Sequence, residues 1–339
     1  RARNVIVSAG VVGTVELLLK CRDEDKTLPR LSPMLGEHVR SNSEALMGVT
    51  ARERTQDFSE GVAISSHFWA DEVTSVEPCR YPPGSGFMRT LIWPLEGYGT
   101  EGTTFAGRLW ASLKHLVYKP GDFLHTRLLP QWAERDTVLL IMQTVENKMA
   151  FRRGRTLTVG GRKGILTARD PQDPIPACVD AGSDVVKRFA EKVDGVPWVG
   201  LNDLLGIPNT AHILGGCGIG ADDRCGVVDV RQQVFNYPGL FVADGSVVPT
   251  NLGVNPSLTI AAMTERAMSF IAPKAVAPAA EALPYPHSVT IDGHYVAEMP
   301  ANGNGNGTAD RLKRLSPLLL LLLPLLPLLL LLFAIMKKR

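Results

Sequence analysis

"NVIVSAGVVGTVELLLKCRD", residues 4–23, decides the fold class. Its first part is a short apolar run rich in valine and isoleucine that ends in glycine, the pattern of a buried strand. Its second part carries helix formers with an apolar face. A strand, a glycine turn and a helix in this order belong to the α/β architecture that binds nucleotides beyond strand ends. The strand pattern starts at residue 4, directly after Arg1, with no capping residue or signal peptide before it. A strand there needs neighbours, so the sequence reads as a chain whose N-terminal part is missing.

The same texture returns at 211–272. A glycine loop is followed by a strand, "GLFVADG" (239–245), and a helix, "PSLTIAAMTERAMSFI" (256–271). Between the two, residues 44–210 read differently. "GVAISSHFW" (61–69), "TVLLIMQTV" (137–145) and "TLTVG" (156–160) look like strands, parted by Gly/Pro stretches such as "YPPGSG" (81–86). A mainly antiparallel sheet is expected there. "DVVKRFAEKV" (184–193) puts Val185, Val186, Phe189, Ala190 and Val193 at helical spacing, which reads as core packing. The fold class is therefore α/β plus α+β. Residues 1–43 and 211–272 form a partial Rossmann-like domain around an antiparallel-sheet domain at 44–210.

The remainder is set by composition. Residues 273–316, with "NGNGNG" and scattered prolines, read as a flexible linker. Residues 317–336 read as a C-terminal transmembrane helix: the 19 residues from 318 to 336 carry no charge, long enough to cross a bilayer. Pro324 and Pro327 are tolerated in membrane spans. Arg311, Lys313 and Arg314 precede the span and Lys337, Lys338 and Arg339 follow it, so its orientation stays open. A net charge of +2 with no basic stripe argues against nucleic acid as a partner. Five cysteines, at 21, 79, 178, 217 and 225, have no zinc-ribbon spacing and read as reduced thiols.

"AHILGGCGIG" (211–220) is the densest glycine cluster. Gly216-x-Gly218-x-x-Ala221 loosely fits a dinucleotide fingerprint. The segment after it, "DDRCGVVD", is too rich in Asp and Gly to start a binding helix. His212 with Cys217 matches no standard metal spacing, so no metal is expected. His212 remains, a histidine beside a flexible backbone and the usual general base at neutral pH. Further on, Asn255 before Pro256 reads as an N-cap followed by a proline at the first helical position. Asp244 and Gly245 end a strand, where α/β sheets bind cofactors.

Three stretches taken together, "HILGGCGIG", "GVVD" and "YPGLFVADGSVVPTNLGVNPSLTIAAMTERAM", resemble the C-terminal signature of glucose–methanol–choline (GMC) oxidoreductases, nearest the cholesterol-oxidase branch. "VSAGVVGTVELLLKCRD" and "LPRLSPMLGEHVRSNSE" are similar to that branch's segment after the nucleotide-binding core. The resemblance spans roughly residues 4–271. It implies FAD as cofactor and oxidation of a sterol 3-hydroxyl by hydride transfer to the flavin. Oxygen or another acceptor then takes the electrons. It implies that His212 faces the flavin and that Asn255 shares the site. Asp244 and Gly245 would lie along the ribityl-phosphate part. Asn255, Pro256 and Ser257 would lie under the ring, and Gly10 and Gly13 would close round the same cofactor. The branch also isomerises a double bond with a carboxylate, for which Glu146 in "MQTVENK" is the candidate; a strand-end surface acid is an equal reading. The G-x-G-x-x-G segment that grips the adenine half of FAD is absent. The leucine-rich tail, outside the family pattern, implies a lipid bilayer as a further partner. Two alternatives stay open: an enzyme for a non-sterol alcohol, and a cofactor-less, membrane-anchored lipid-binding module.

Overall fold

The computed structural model describes residues 2–53, 57–64, 66–94, 104–155, 161, 163–169 and 179–272, and the backbone of 288–291 and 294–297. The chain divides into two units, Arg1–Met268 and Ser269–Arg339. The first opens with β1 (Val5–Val7), α1 (Gly10–Asp23), β2 (Ala45–Ala51), β3 (Phe68–Trp69), β4 (Thr74–Arg80) and β5 (Ile92–Pro94). Three helices follow: α2 (Phe105–Tyr118), α3 (Pro120–Leu128) and α4 (Trp132–Arg135). Next come β6 (Asp136–Gln143), β7 (Met149–Arg155), β8 (Lys163–Arg169), α5 (Asp180–Lys192) and β9 (Gly195–Gly200). The last elements are α6 (Leu201–Leu204), β10 (Leu240–Val242) and α7 (Ser257–Ser269).

The opening stretch folds as its pattern predicts. Gly10, at φ +71°, turns the chain from β1 into α1 through a conformation that favours glycine. Val11, Val15, Leu18 and Leu19 form the inner face of α1 and pack on Val227, Val228, Val242 and Val247. β1 pairs in parallel with β10, Ile6 opposite Phe241, which joins the two ends of the unit. The hairpin β7–β8 joins this core too, through Met149 and Phe151. Arg153 of that hairpin pairs with Glu16 on α1 and with Glu24 just past its end.

The middle of the chain forms a six-stranded sheet in the order β3-β4-β6-β2-β9-β5, antiparallel at every pairing. Among the described residues of "GVAISSHFW", Phe68 and Trp69 form a strand, β3; residues 156–160 lie outside the described residues. Alternation assigns the two faces. Ala45, Met47, Val49, Val76, Leu139 and Ile141 pack with Val186 and Ala190 of α5. The other face carries Leu46, Leu140 and Glu77, aligned across β2, β6 and β4. Towards β5 this second face is filled by Trp132, Val138 and Trp198. Gly48 leaves room for Trp198, whose ring a Cβ there would meet at 2.3 Å. Trp198 Nε1 donates to Asp136 Oδ1 at 2.8 Å, and burial pushes the Asp136 carboxyl well above its usual range. Towards its opposite end the same face meets the functional residues.

In the second unit, β11 (Ser288–Ile291) and β12 (His294–Ala297) pair antiparallel within the stretch that composition reads as linker. "SVTI" and "HYVA", two strand-forming runs separated by Asp292 and Gly293, carry the sequence signal for that hairpin. Among the described residues no helix is long and apolar enough to cross a membrane. The expected span at 317–336 lies outside the described residues.

Candidate active site

His212 is placed by a short backbone ladder. Arg40 N–H donates to Leu214 C=O at 2.7 Å, and Leu214 N–H returns a bond to Arg40 C=O at 3.0 Å. Four residues on from Arg40 and two before Leu214, the side chains of Glu44 and His212 meet, Glu44 Oε1 against His212 Nδ1. The other Glu44 oxygen accepts from Ala211 N–H at 2.6 Å. The glutamate side chain is only 2% exposed and the histidine 14%. A carboxylate oxygen facing Nδ1 makes that nitrogen the donor. The second nitrogen, Nε2, is left with its lone pair, as a general base requires. Glu44 has no signal in the sequence: nothing in "HVRSNSE" ties residue 44 to residue 212.

Asn255 is also held by a buried glutamate. Its Nδ2 donates to Glu77 Oε2 at 2.7 Å, and its Oδ1 is buried without a hydrogen-bond partner. The expected N-cap role is not what the structure shows. The first helical bond of α7 runs from Ile260 N–H to Pro256 C=O at 2.9 Å, so Pro256 holds the cap position. Asn255 Nδ2 is held by the buried Glu77 carboxylate, and Oδ1, the atom a cap would use, makes no hydrogen bond to the helix start. The loop before α7 is stitched to the sheet. Asn42 Nδ2 donates to Val254 C=O at 2.9 Å, Ser75 Oγ to Gly253 C=O at 3.2 Å, and Asn251 Nδ2 to Gln143 C=O at 2.7 Å.

Glu44 and Glu77 act on the same side of the sheet. Cys79, two residues from Glu77 on β4, feels both: burial first, then the charge of Glu77 and that of Glu44, push its thiol up to about 11. Glu146 is elsewhere. Its side chain is half exposed and pairs with Arg40 at 3.3 Å and with the Thr250 hydroxyl. It touches neither His212 nor Asn255.

The residues expected around the cofactor divide by exposure. Asp244 is buried and fully engaged: Oδ1 accepts from Ser246 N–H at 2.9 Å and from its hydroxyl, and Oδ2 from the Thr14 hydroxyl. Gly245 is packed against Ile260, Leu214 and Val11. Gly13 lies against Ala9, whereas Gly10 borders open space. Pro256 is buried, while Ser257 and Leu258 at the start of α7 are exposed. The open surface at Gly10, the exposed helix start with its unpaired N–H groups and the orphaned Asn255 Oδ1 fit the polar edge and ribityl chain of a flavin. Among the described residues no cluster of His, Cys, Asp or Glu could hold a metal ion.

The glycine cluster has a packing cause. Gly215 and Gly216 have φ of +79° and +94°. A Cβ on Gly215 would lie 2.2 Å from His38 C=O, and one on Gly216 2.8 Å from Val15 Cγ2. The loop lies flat on α1 and on residues 36–39, with no side chain between. Cys217 is fully buried there, which pushes its thiol up to about 12. Gly215→Ala is expected to cost about 3 kcal/mol, from the left-handed conformation plus the overlap, read as a lowered denaturant midpoint.

Residues 204–264 match the GMC oxidoreductase family. The match is to the C-terminal domain of that family. The matched residues include both His212 and Asn255. A cholesterol oxidase of Mycobacterium tuberculosis (strain ATCC 25618 / H37Rv) is 38% identical over 277 residues, 79% of this chain and 46% of its own length. A cholesterol oxidase of Acinetobacter baumannii is 36% identical over 283 residues, 81% of this chain and 48% of its own length. A 2-methyl-1,2-propanediol dehydrogenase of Mycolicibacterium austroafricanum is 22% identical over 285 residues, 80% of this chain and 48% of its own. The chain thus spans about half the length of the curated relatives it matches. The matched stretch supplies the histidine and the asparagine, strand β4 supplies Glu77, and Glu44 comes from the residue before β2.

Proposed function

We propose that this chain supplies the substrate sheet and the acid–base face of an FAD-dependent oxidoreductase that oxidises a sterol-like secondary alcohol. The observation that carries the reading is the buried Glu44–His212 pair, which leaves Nε2 as a base on a face lined by apolar side chains. Bound flavin supplies the hydride acceptor. His212 Nε2 takes the hydroxyl proton, and Glu44 steadies the positive charge that the imidazole then carries. Asn255 Nδ2 keeps one hydrogen beyond its bond to Glu77, and it donates that hydrogen to the alcohol oxygen, holding the hydroxyl for the transfer to Nε2. Leu46, Leu140 and Met142 give the face its apolar character. A sterol substrate and oxygen as acceptor rest on the likeness to two cholesterol oxidases. The weaker likeness to a diol dehydrogenase keeps a smaller, non-sterol alcohol as the second reading.

A double-bond shift after oxidation requires a carboxylate beside the substrate. Glu77, buried next to Asn255, meets that need better than the half-exposed Glu146. The deciding experiment expresses the chain in the longest reading frame that contains it. Bound flavin absorbance and turnover of a 3β-hydroxysterol are expected, with short aliphatic diols as the comparison. A protein that binds no flavin, or turns over only the diols, would overturn the sterol reading.

The uncharged run at 318–336 is the basis for proposing a membrane anchor. Deleting residues 311–339 is expected to turn a protein that needs detergent for release into one released by alkaline carbonate. Retention through the carbonate wash would refute the anchor.

A further inference from the structure

Helices α2 and α3 are built inside out. On α2, Arg108 and Ser112 face the protein and are buried. Arg108 Nε donates to Leu204 C=O at 3.1 Å, and Ser112 Oγ to Arg108 C=O at 2.9 Å. On the opposite face Trp110, Leu113 and Val117 follow one another at helical spacing. Trp110 is 70% exposed, Val117 73% and the adjoining Tyr118 75%. Helix α3 repeats the inversion. Asp122, Thr126 and Arg127 are buried, with Arg52 Nη2 on Asp122 Oδ1 at 2.6 Å and Arg127 Nη2 on Ile92 C=O at 2.6 Å. Leu124 and Leu128, one turn apart, are exposed. A helix that meets only water hides its large apolar side chains and shows its polar ones. Two neighbouring helices that do the reverse present a surface meant for an apolar partner.

The charges select the partner. Between residues 104 and 130 the acid is Asp122, which is buried, while Lys114 and Lys119 are exposed. A second copy of the chain, docked about a two-fold axis, would bring these lysines towards their own counterparts. A tryptophan, a tyrosine and lysines around an aliphatic stripe instead match a helix lying in a lipid headgroup region, where the rings bridge water and hydrocarbon. We infer that α2 and α3 dock on an anionic lipid surface, with Trp110, Leu113 and Val117 entering the boundary between headgroups and acyl chains. The inference uses no residue of the candidate active site and stands apart from the alcohol reading.

The test takes the full chain with vesicles of phosphatidylcholine and phosphatidylglycerol whose acyl chains carry bromine. Bromine is expected to quench a component of tryptophan emission that Trp110→Phe lacks. Val117→Glu should lose the same component with its circular dichroism unchanged. Because that change could disturb folding, Lys114→Gln serves as the second variant, alters only an exposed side chain, and should weaken the quenching titration about five-fold. Equal quenching in wild type and Trp110→Phe would overturn the inference. So would a lipid-free dimer that Val117→Glu dissociates.

Discussion

Alanine in place of His212 is expected to lower alcohol turnover by about 10²- to 10⁴-fold, the range for removing a positioned general base. Flavin binding should survive, because the loop that carries the histidine is held by other contacts. The Arg40–Leu214 ladder and the packing of Gly215 and Gly216 do not use the imidazole. The loss should fall mainly on kcat, since His212 in this reading moves a proton rather than gripping the substrate. A flavin-loaded His212→Ala protein with full turnover would remove the assigned base.

The second large effect belongs to Glu44. Hydrogen bonds to charged groups contribute about 1.5–3 kcal/mol, so Glu44→Gln should slow turnover by about 10- to 150-fold. A glutamine amide can still accept from Nδ1, but it cannot balance the charge of an imidazole that has taken a proton. Glu44→Ala should lose more, and should also leave the Ala211 N–H without its acceptor. The readout that separates positioning from mere structure is the imidazole itself. Nitrogen-15 spectra of the wild type should show His212 protonated at Nδ1, and those of Glu44→Ala a mixture of tautomers. Identical tautomer signals in both proteins would show that Glu44 does not orient the base.

Local pattern carried much of the fold. The β1–α1 step, β6, α5, β10 and α7 all fall where periodicity places them, because each buries one regular face. Helices α2 and α3 are not legible in this way, although Trp110, Leu113 and Val117 keep helical spacing. Their burial is inverted, so the apolar residues that mark a core helix mark an exposed surface here. At the site, His212 and Asn255 stood out through their surroundings, a glycine cluster and an Asn-Pro helix start. The carboxylates they contact did not. Glu44 sits just before β2 and Glu77 lies on β4, and the antiparallel register of β2, β6 and β4 brings them to one face. Such partners are set by strand pairing across long separations, which a single sequence does not display. Glu146 is a carboxylate of the right type, yet the connection between β6 and β7 places it against Arg40 and Thr250, as a surface acid would lie.

The pairing of β2 with β9 has a mechanical consequence. Met47 lies opposite Val199 and Ala51 opposite Gly195, so the chain enters and leaves the sheet on neighbouring strands. Glu44 is the residue just before that crossing and His212 lies beyond it. Any motion that tilts the sheet away from the glycine loop must pull the carboxylate off the imidazole. The contact therefore ties the edge of the sheet to the loop that carries the histidine, so the alignment of the imidazole depends on how the two are packed.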